Sequence, residues 1–509
     1  MKRYVFCIVM NFCLLHSGLA QAQQNSIDLG LKEAVKMALE RNLDIQAELY
    51  NPASAEAVVI KSKSIYNPFL SLFVGYQDLN VQQSFFIDSQ SSVDRQKNAI
   101  YNAEISQLLP GGGTISASFN NNWDQNNLDA FGISNMDVYF RSKVGLSLSQ
   151  PLLKNFGSET TELRISVAKF DKEGSIEQLR TKLLDIVSQV MTQYNKLYSL
   201  HKNLEVKRTS LNLAETILNN TRDQVTAGVL PPIEILNAQF GVAAQRKNYI
   251  DAERALRDQI GVLRVLLQLH GITDIIPTDA PIRDEYKVDE SQEIQRGLTQ
   301  RPDLRQMKIS LKSSELQSRV AKTQILPELN AIASAAFTGL ADNYNRDLER
   351  VGSGQYPIWF VGLRLTYPIG NDSARNDYIK SKLRTEQIKT QIKELEESVS
   401  NDVSTAVRAV SSGFLQLDVT AQGRSYAEEV LQAYIEKQKA GLATTKDVLD
   451  ELNNLVVAQG NEIQAVTDYN NAIVTLMKTT GELLERQNVT ITDKDTDYLY
   501  DKSKQSIAF

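Results

Sequence analysis

The sequence predicts an α+β chain made of two tandem copies of one unit, each joining short β-strands to helices of unusual length. Three observations carry this. Val144, Leu146 and Leu148 alternate with Gly145, Ser147 and Ser149, the period of two that marks a strand with unlike faces. Two stretches of about 70 residues, from Ser158 to Ala227 and from Asp372 to Ala440, contain no proline and repeat apolar residues at three- and four-residue steps. The chain beyond residue 22 can also be laid over itself.

The first element is not part of the fold. Lys2 and Arg3 precede a mostly apolar run from Tyr4 to Leu15, and Ala20-Gln21-Ala22 supplies a small-x-small cleavage pattern. We expect residues 1–22 to be a secretory signal peptide cut after Ala22; the run is short for a membrane anchor. Both cysteines, Cys7 and Cys13, lie inside it, so a cleaved chain has no disulfide, thiol nucleophile or cysteine metal site. Met-Asn-Phe before Cys13 does not suit a lipid-acceptor site. Without Lys2 and Arg3, 53 of the 55 basic residues remain against 61 acidic ones, a balance of −8. That mild acidity argues against a nucleic-acid partner. Beyond the leader no apolar run reaches the roughly 18 residues of a membrane helix, which leaves a soluble exported chain or a β-barrel.

The duplication sets the domain organisation. "TAGVLPPIEILNAQ" from Thr226 matches "KAGLATTKDVLDEL" from Lys439, and "VGLSLSQPLLKNFG" from Val144 matches "VGLRLTYPIGNDSA" from Val361. "LERNLDIQAELY" and "LTQRPDLRQMKI" correspond upstream. We therefore divide the chain into a first repeat at 23–275, a second at 276–485, and a polar tail at 486–509. Pro68 to Pro151 spans 83 residues but Pro327 to Pro368 only 41, so the first copy carries an insertion. Alternating runs around Pro110-Gly111-Gly112-Gly113 read as an extra β-hairpin at about 98–123, either added barrel strands or an enlarged outer loop.

The strands of the second copy fall at about 328–367. Alternation of apolar with small or polar residues suits a strand between lipid and water, and equally a sandwich strand. Tyr66, Phe69, Phe73, Tyr76, Tyr356, Trp359, Phe360 and Tyr367 stand in or beside the strands, as an interfacial girdle does. The Asn- and Gly-rich linkers at 119–137 and 341–357 read as surface loops. Each 70-residue stretch makes a helix of roughly 100 Å at 1.5 Å per residue, turning back at tips near Gly228 and Gly441. A thin helical rod buries little by itself, and four strands cannot close a barrel. Both halves call for self-association.

In these matched tips, helix starts and strand-to-helix joints the chain resembles the TolC family of outer-membrane efflux and export proteins. The likeness covers roughly residues 27–485. It implies a homotrimer closing a twelve-stranded β-barrel in outer-membrane lipid, four strands per subunit, continuous with a periplasmic α-helical coiled-coil tube. It also implies the exit duct of a tripartite efflux or type I secretion system, partnered by a periplasmic adaptor and an inner-membrane pump. An exported soluble coiled-coil scaffold without a pore is the rival reading.

The remaining chemistry is sparse. His201 and His270 stand singly on helical stretches, and no catalytic, cofactor or metal constellation is expected. Asp447 and Asp450 admit three readings. Thr444 with Asp447 three residues on forms an N-terminal capping box; the pair could form stacked carboxylate rings at the mouth of a trimeric tube; a hydrolase site finds no partner residue. Glu234 is the matching acid of the first tip, and the resemblance implies an arginine latch to it at a position held here by Ala443. Gly228 and Gly441 suit left-handed C′ positions. Val229, Leu230, Leu442 and Ala443 beside them are candidates to dock the adaptor.

Overall fold

The computed structural model describes residues 26–84, 91–126, 138–489 and 493–505. The segment expected to be a signal peptide, with Cys7 and Cys13, lies outside the described residues. The chain opens with β1 (Ser26–Leu29), α1 (Leu31–Arg41) and α2 (Leu43–Lys63). Then come β2 (Phe69–Ser84), β3 (Ser91–Leu108), β4 (Thr114–Asn126) and β5 (Val138–Pro151). A single turn, α3 (Ser158–Thr161), leads into α4 (Leu163–Thr226) and α5 (Ile233–Leu267). The second half repeats the succession with β6 (Asp274–Pro277), α6 (Glu290–Gln300), α7 (Pro302–Thr323), β7 (Glu328–Thr338), α8 (Tyr344–Ser353) and β8 (Pro357–Thr366). It ends with α9 (Asp372–Lys439), α10 (Thr445–Thr479), α11 (Leu483–Arg486) and α12 (Asp493–Gln505). Two compact units result, one of residues 1–54, 173–308 and 391–509, the other of 55–172 and 309–390.

The first unit is helical. β1 and β6 form a parallel pair, Ser26 beside Asp274 through Leu29 beside Pro277. The Tyr194 hydroxyl donates to Leu29 O at 2.9 Å and accepts from Asp279 N at 3.0 Å, fixing α4 to that pair. Around it Leu29, Leu183, Val187, Leu197, Leu263 and Ile275 make one core. A second core holds Val399, Val403, Val410, Tyr469, Ile473 and Leu476, and a third lies near the tips. His201 is a packing residue here, its Nε2 2.9 Å from Ile275 O.

The second unit is built on one antiparallel sheet in the order β2-β3-β4-β5-β7-β8. It has six strands, the four expected from the resemblance and two more. The inserted hairpin supplies the difference: β3 and β4 lie between β2 and β5, paired on both sides, so the insertion is sheet and not an outer loop. β4 also absorbs the start of the 119–137 linker, while residues 127–137 lie outside the described residues. The 341–357 linker contains a helix, α8, because Asn343 caps it through Asn345 N at 2.8 Å and Gly354, at φ 67°, ends it.

Register gives the sheet two unlike faces. Leu70, Leu72 and Val74 of β2 share one face with Ala103 and Ile105 of β3, Ala117 and Phe119 of β4, and Val144, Leu146 and Leu148 of β5. Ala333 and Ala335 of β7 and Trp359, Val361 and Leu363 of β8 continue it. The opposite face carries Ser71, Asn102, Glu104, Ser106, Ser116, Ser118, Asn120, Lys143, Ser147, Ser334 and Arg364. The apolar face is open: Leu72, Val74, Val361 and Trp359 are more than 70 % exposed. The aromatics do not form one girdle, since Phe69, Phe73 and Phe360 stand on the polar face and Tyr76 and Trp359 on the apolar one.

The helical tips as candidate functional site

Both tips end their long helix in the same way. At the first, Gly228 takes φ 76°, its N–H donates to Val225 O at 3.0 Å and the Val229 N–H donates to Gln224 O at 2.8 Å. At the second, Gly441 takes φ 75°, with Gly441 N to Gln438 O at 2.9 Å and Leu442 N to Lys437 O at 2.8 Å. This paired bonding is the Schellman motif; it satisfies carbonyls the helix end would orphan, and a side chain at the left-handed position would strain it. Val229 and Leu442 project into solvent at 61 % and 79 % exposure, whereas Leu230 and Ala443 are half-buried.

Asp447 is part of a capping box. The Thr444 hydroxyl accepts from Asp447 N at 3.2 Å, and the Asp447 carboxylate accepts from Thr444 N at 2.8 Å. Bonds from the Thr444 hydroxyl and backbone hold the carboxyl below its ordinary range. Asp450 lies one turn on, exposed, and its carboxylate has no partner among the described residues.

Glu234 does something the sequence did not suggest. With Ala443 unable to supply a latch, its buried carboxylate accepts the backbone N–H of Thr445, the first residue of α10, at 3.2 Å. Thr445 is fully buried; its hydroxyl accepts from Gln438 Nε2 at 3.1 Å and lies 3.4 Å from Thr221 Oγ1. Thr221, Glu234, Gln438 and Thr445 come from α4, α5, α9 and α10, so one buried polar knot ties all four helix ends. About three turns along α5, Gln245 Nε2 donates to Asn453 Oδ1 at 2.6 Å and its Oε1 accepts from Ser210 at 3.1 Å. Between the two knots α5 and α10 meet closely at Gly241, where a Cβ would come within 2.5 Å of Leu449.

Thr221, Gln438, Thr445 and Gln245 carry no sequence signal, since isolated Thr and Gln in a long helix look like a solvated face. Among the described residues no cluster of three His, Cys, Asp or Glu could hold a metal ion. No described helix is long and apolar enough to cross a membrane.

The model of the outer membrane efflux protein family matches residues 34–267 and 294–482. The outer membrane efflux protein BepC of Brucella suis is 22 % identical over 346 residues, 68 % of this chain and 73 % of that protein. The pyoverdine export outer membrane protein OpmQ of Pseudomonas aeruginosa is 23 % identical over 303 residues, 58 % and 61 % of the two chains. Among solved structures, the outer-membrane channel OprN superposes with a TM-score of 0.66 at 15 % identity, over 89 % of each chain. The Campylobacter jejuni outer membrane channel CmeC gives 0.63 at 16 % identity, over 93 % of this chain and 89 % of that one.

Proposed function

This chain belongs to the outer membrane efflux protein family, and from that membership we propose that three copies form a passive exit duct carrying solutes from the periplasm to the exterior. An inner-membrane pump supplies the energy in this reading, and a periplasmic adaptor docks on the tips through Gly228, Val229, Leu230, Gly441, Leu442 and Ala443. The duct belongs to a tripartite efflux or type I secretion assembly.

One observation carries the proposal: a single sheet presents an open apolar face and an opposite face that is mostly polar, with Phe69, Phe73 and Phe360 among its residues. Such a sheet has lipid as the natural solvent of one side and water as that of the other. In a soluble scaffold Leu72, Val74, Trp359, Val361 and Leu363 would stand in water together, an exposed apolar area that soluble monomers avoid.

The tips form the gate in this reading. Glu234 and the knot around Thr445 hold the helix ends together, and Asp450, exposed and unpaired, lines the mouth as one third of a carboxylate ring. Asp447 serves the cap first and adds charge to the mouth second. Purified protein in planar bilayers tests this: cation-selective channels from a heat-sensitive outer-membrane trimer are the expected result. Soluble protein without conductance overturns it.

A further inference from the structure

We infer that the inserted hairpin spans the membrane, so that each copy contributes six barrel strands and a trimer closes eighteen. The inference rests on the trimeric duct proposed above for its total, but not for its count per copy.

Three features of the hairpin support it. First, β3 and β4 keep the alternation of the sheet in phase, Ala103, Ile105, Ala117 and Phe119 on the apolar side against Asn102, Glu104, Ser116 and Ser118 on the polar side. A loop laid over a pore has no need of this phase, because a one-residue slip would turn every side chain to the wrong solvent. Second, the hairpin's turn is built into the strand-to-helix joint. Gln150 Nε2 donates to Gly111 O at 2.9 Å, Gly157 N donates to the same oxygen at 3.2 Å, and Gln107 Nε2 donates to Tyr66 O at 3.1 Å. Gly112 has φ 86° and a Cβ there would meet Asn155 O at 2.4 Å; at Gly113 it would meet Gln150 Oε1 at 2.3 Å. Gly112 and Gly113, two of the three glycines found in the sequence as a turn signal, are thus fitted against a crowded joint, at the end of the sheet where the helices begin.

Third, the sheet is open and its edges suit each other. β2 and β8 are the outermost strands, and six strands fall short of the roughly eight that a barrel needs. The count is even, so β8 of one copy runs antiparallel to β2 of the next. Both edges carry the same tripeptide in the same phase, Phe73-Val74-Gly75 and Phe360-Val361-Gly362. In each the phenylalanine lies over the glycine, 3.1 Å and 2.7 Å from where a Cβ would sit, and the valine is exposed on the apolar face. A long exposed strand edge seeks a partner, and a second copy of this chain supplies one whose faces match.

With strands about 4.8 Å apart and tilted by about 40°, eighteen make a barrel roughly 36 Å across its backbone, against roughly 24 Å for twelve. The outer mouth is then porin-wide and does not set the size limit on cargo. Selection falls to the helical tips.

Single cysteines in a Cys7→Ser, Cys13→Ser chain test the placement, using a membrane-impermeant maleimide on proteoliposomes. Ser118→Cys and Glu104→Cys should react at least tenfold faster than Ala117→Cys and Ile105→Cys. Equal rates within each pair overturn the inference, and two pairs guard against a variant that fails to assemble. Electron cryomicroscopy of the same protein should count six strands per copy; four overturns it. Native mass spectrometry separates the premise: six strands per copy in an assembly other than a trimer removes the total of eighteen and the trimeric duct while keeping the hairpin in the membrane.

Discussion

Removing the Glu234 carboxylate should loosen the tips by an amount that the knot itself predicts. Glu234 is only 8 % exposed and accepts the first N–H of α10, a group with no partner inside its own helix. Glu234→Ala leaves that buried donor unsatisfied, which costs about 1–3 kcal/mol. Taking about 2 kcal/mol, the equilibrium between tied and untied tips shifts about 30-fold toward the untied state. Glu234→Gln keeps a carbonyl acceptor without the charge, and charge-assisted bonds are about twice as strong as neutral ones, so its effect should be about half in free energy. The assay is single-channel recording, with hydrogen exchange at Thr445 as a structural readout. The expected order is wild type, Glu234→Gln, Glu234→Ala, both in open probability and in the exchange rate of the Thr445 amide. If Glu234→Ala exchanges at the wild-type rate and conducts as wild type does, the knot does not hold the tips and the reasoning fails.

Other predictions address the same region. Asp450→Asn should reduce cation selectivity without changing thermal stability, because the carboxylate is exposed and has no partner among the described residues; reversal potentials and a melting curve check both halves. Asp447, held below its ordinary pKa by Thr444, contributes to its helix end above the unfolded carboxylate value near 4 and loses that contribution as pH falls below it. The protection factor of the amides at the start of α10, exchange corrected for the intrinsic pH dependence, should therefore be constant from neutral pH down to about 4 and fall below it, and Asp447→Ala should abolish that step. Gly241→Ala puts a methyl within 2.5 Å of Leu449 and should destabilise the tip region by about 1–3 kcal/mol; combined with Leu449→Ala, the total loss should be smaller than the sum of the two single losses, because the added methyl fills part of the space the leucine leaves.

Much of the architecture was legible because it is periodic. Helices as long as α4 and α9 announce themselves by the absence of proline and by repeated apolar steps, and Gly228 and Gly441 mark their ends because only glycine takes φ near 75° without strain. The capping role of Asp447 could be read from its spacing to Thr444. The strand number could not be read from either copy alone. Pro110 to Gly113 showed a hairpin, but whether β3 and β4 join the sheet depends on partners in β2 and β5, which are distant in sequence. The linker at 341–357 hid α8 because its Asn and Gly content fits a cap and a stop as well as it fits a loop. The tip knot was invisible for a different reason. Thr221, Gln438 and Thr445 acquire their role only where four helix ends converge, and no local pattern encodes that convergence.

The pairing of β1 with β6 bears on how the chain is made. Ser26–Leu29 finds its partner at Asp274–Pro277, and Leu31 N donates to Asp279 across 248 residues of sequence. Non-local contacts of this kind come late, since the loop must close before the contact rewards it. During vectorial delivery the leading strand therefore waits, unpaired, until more than half of the chain has followed. The docking of β1 marks the moment at which the first helical core, Leu29 and Ile275 included, can close.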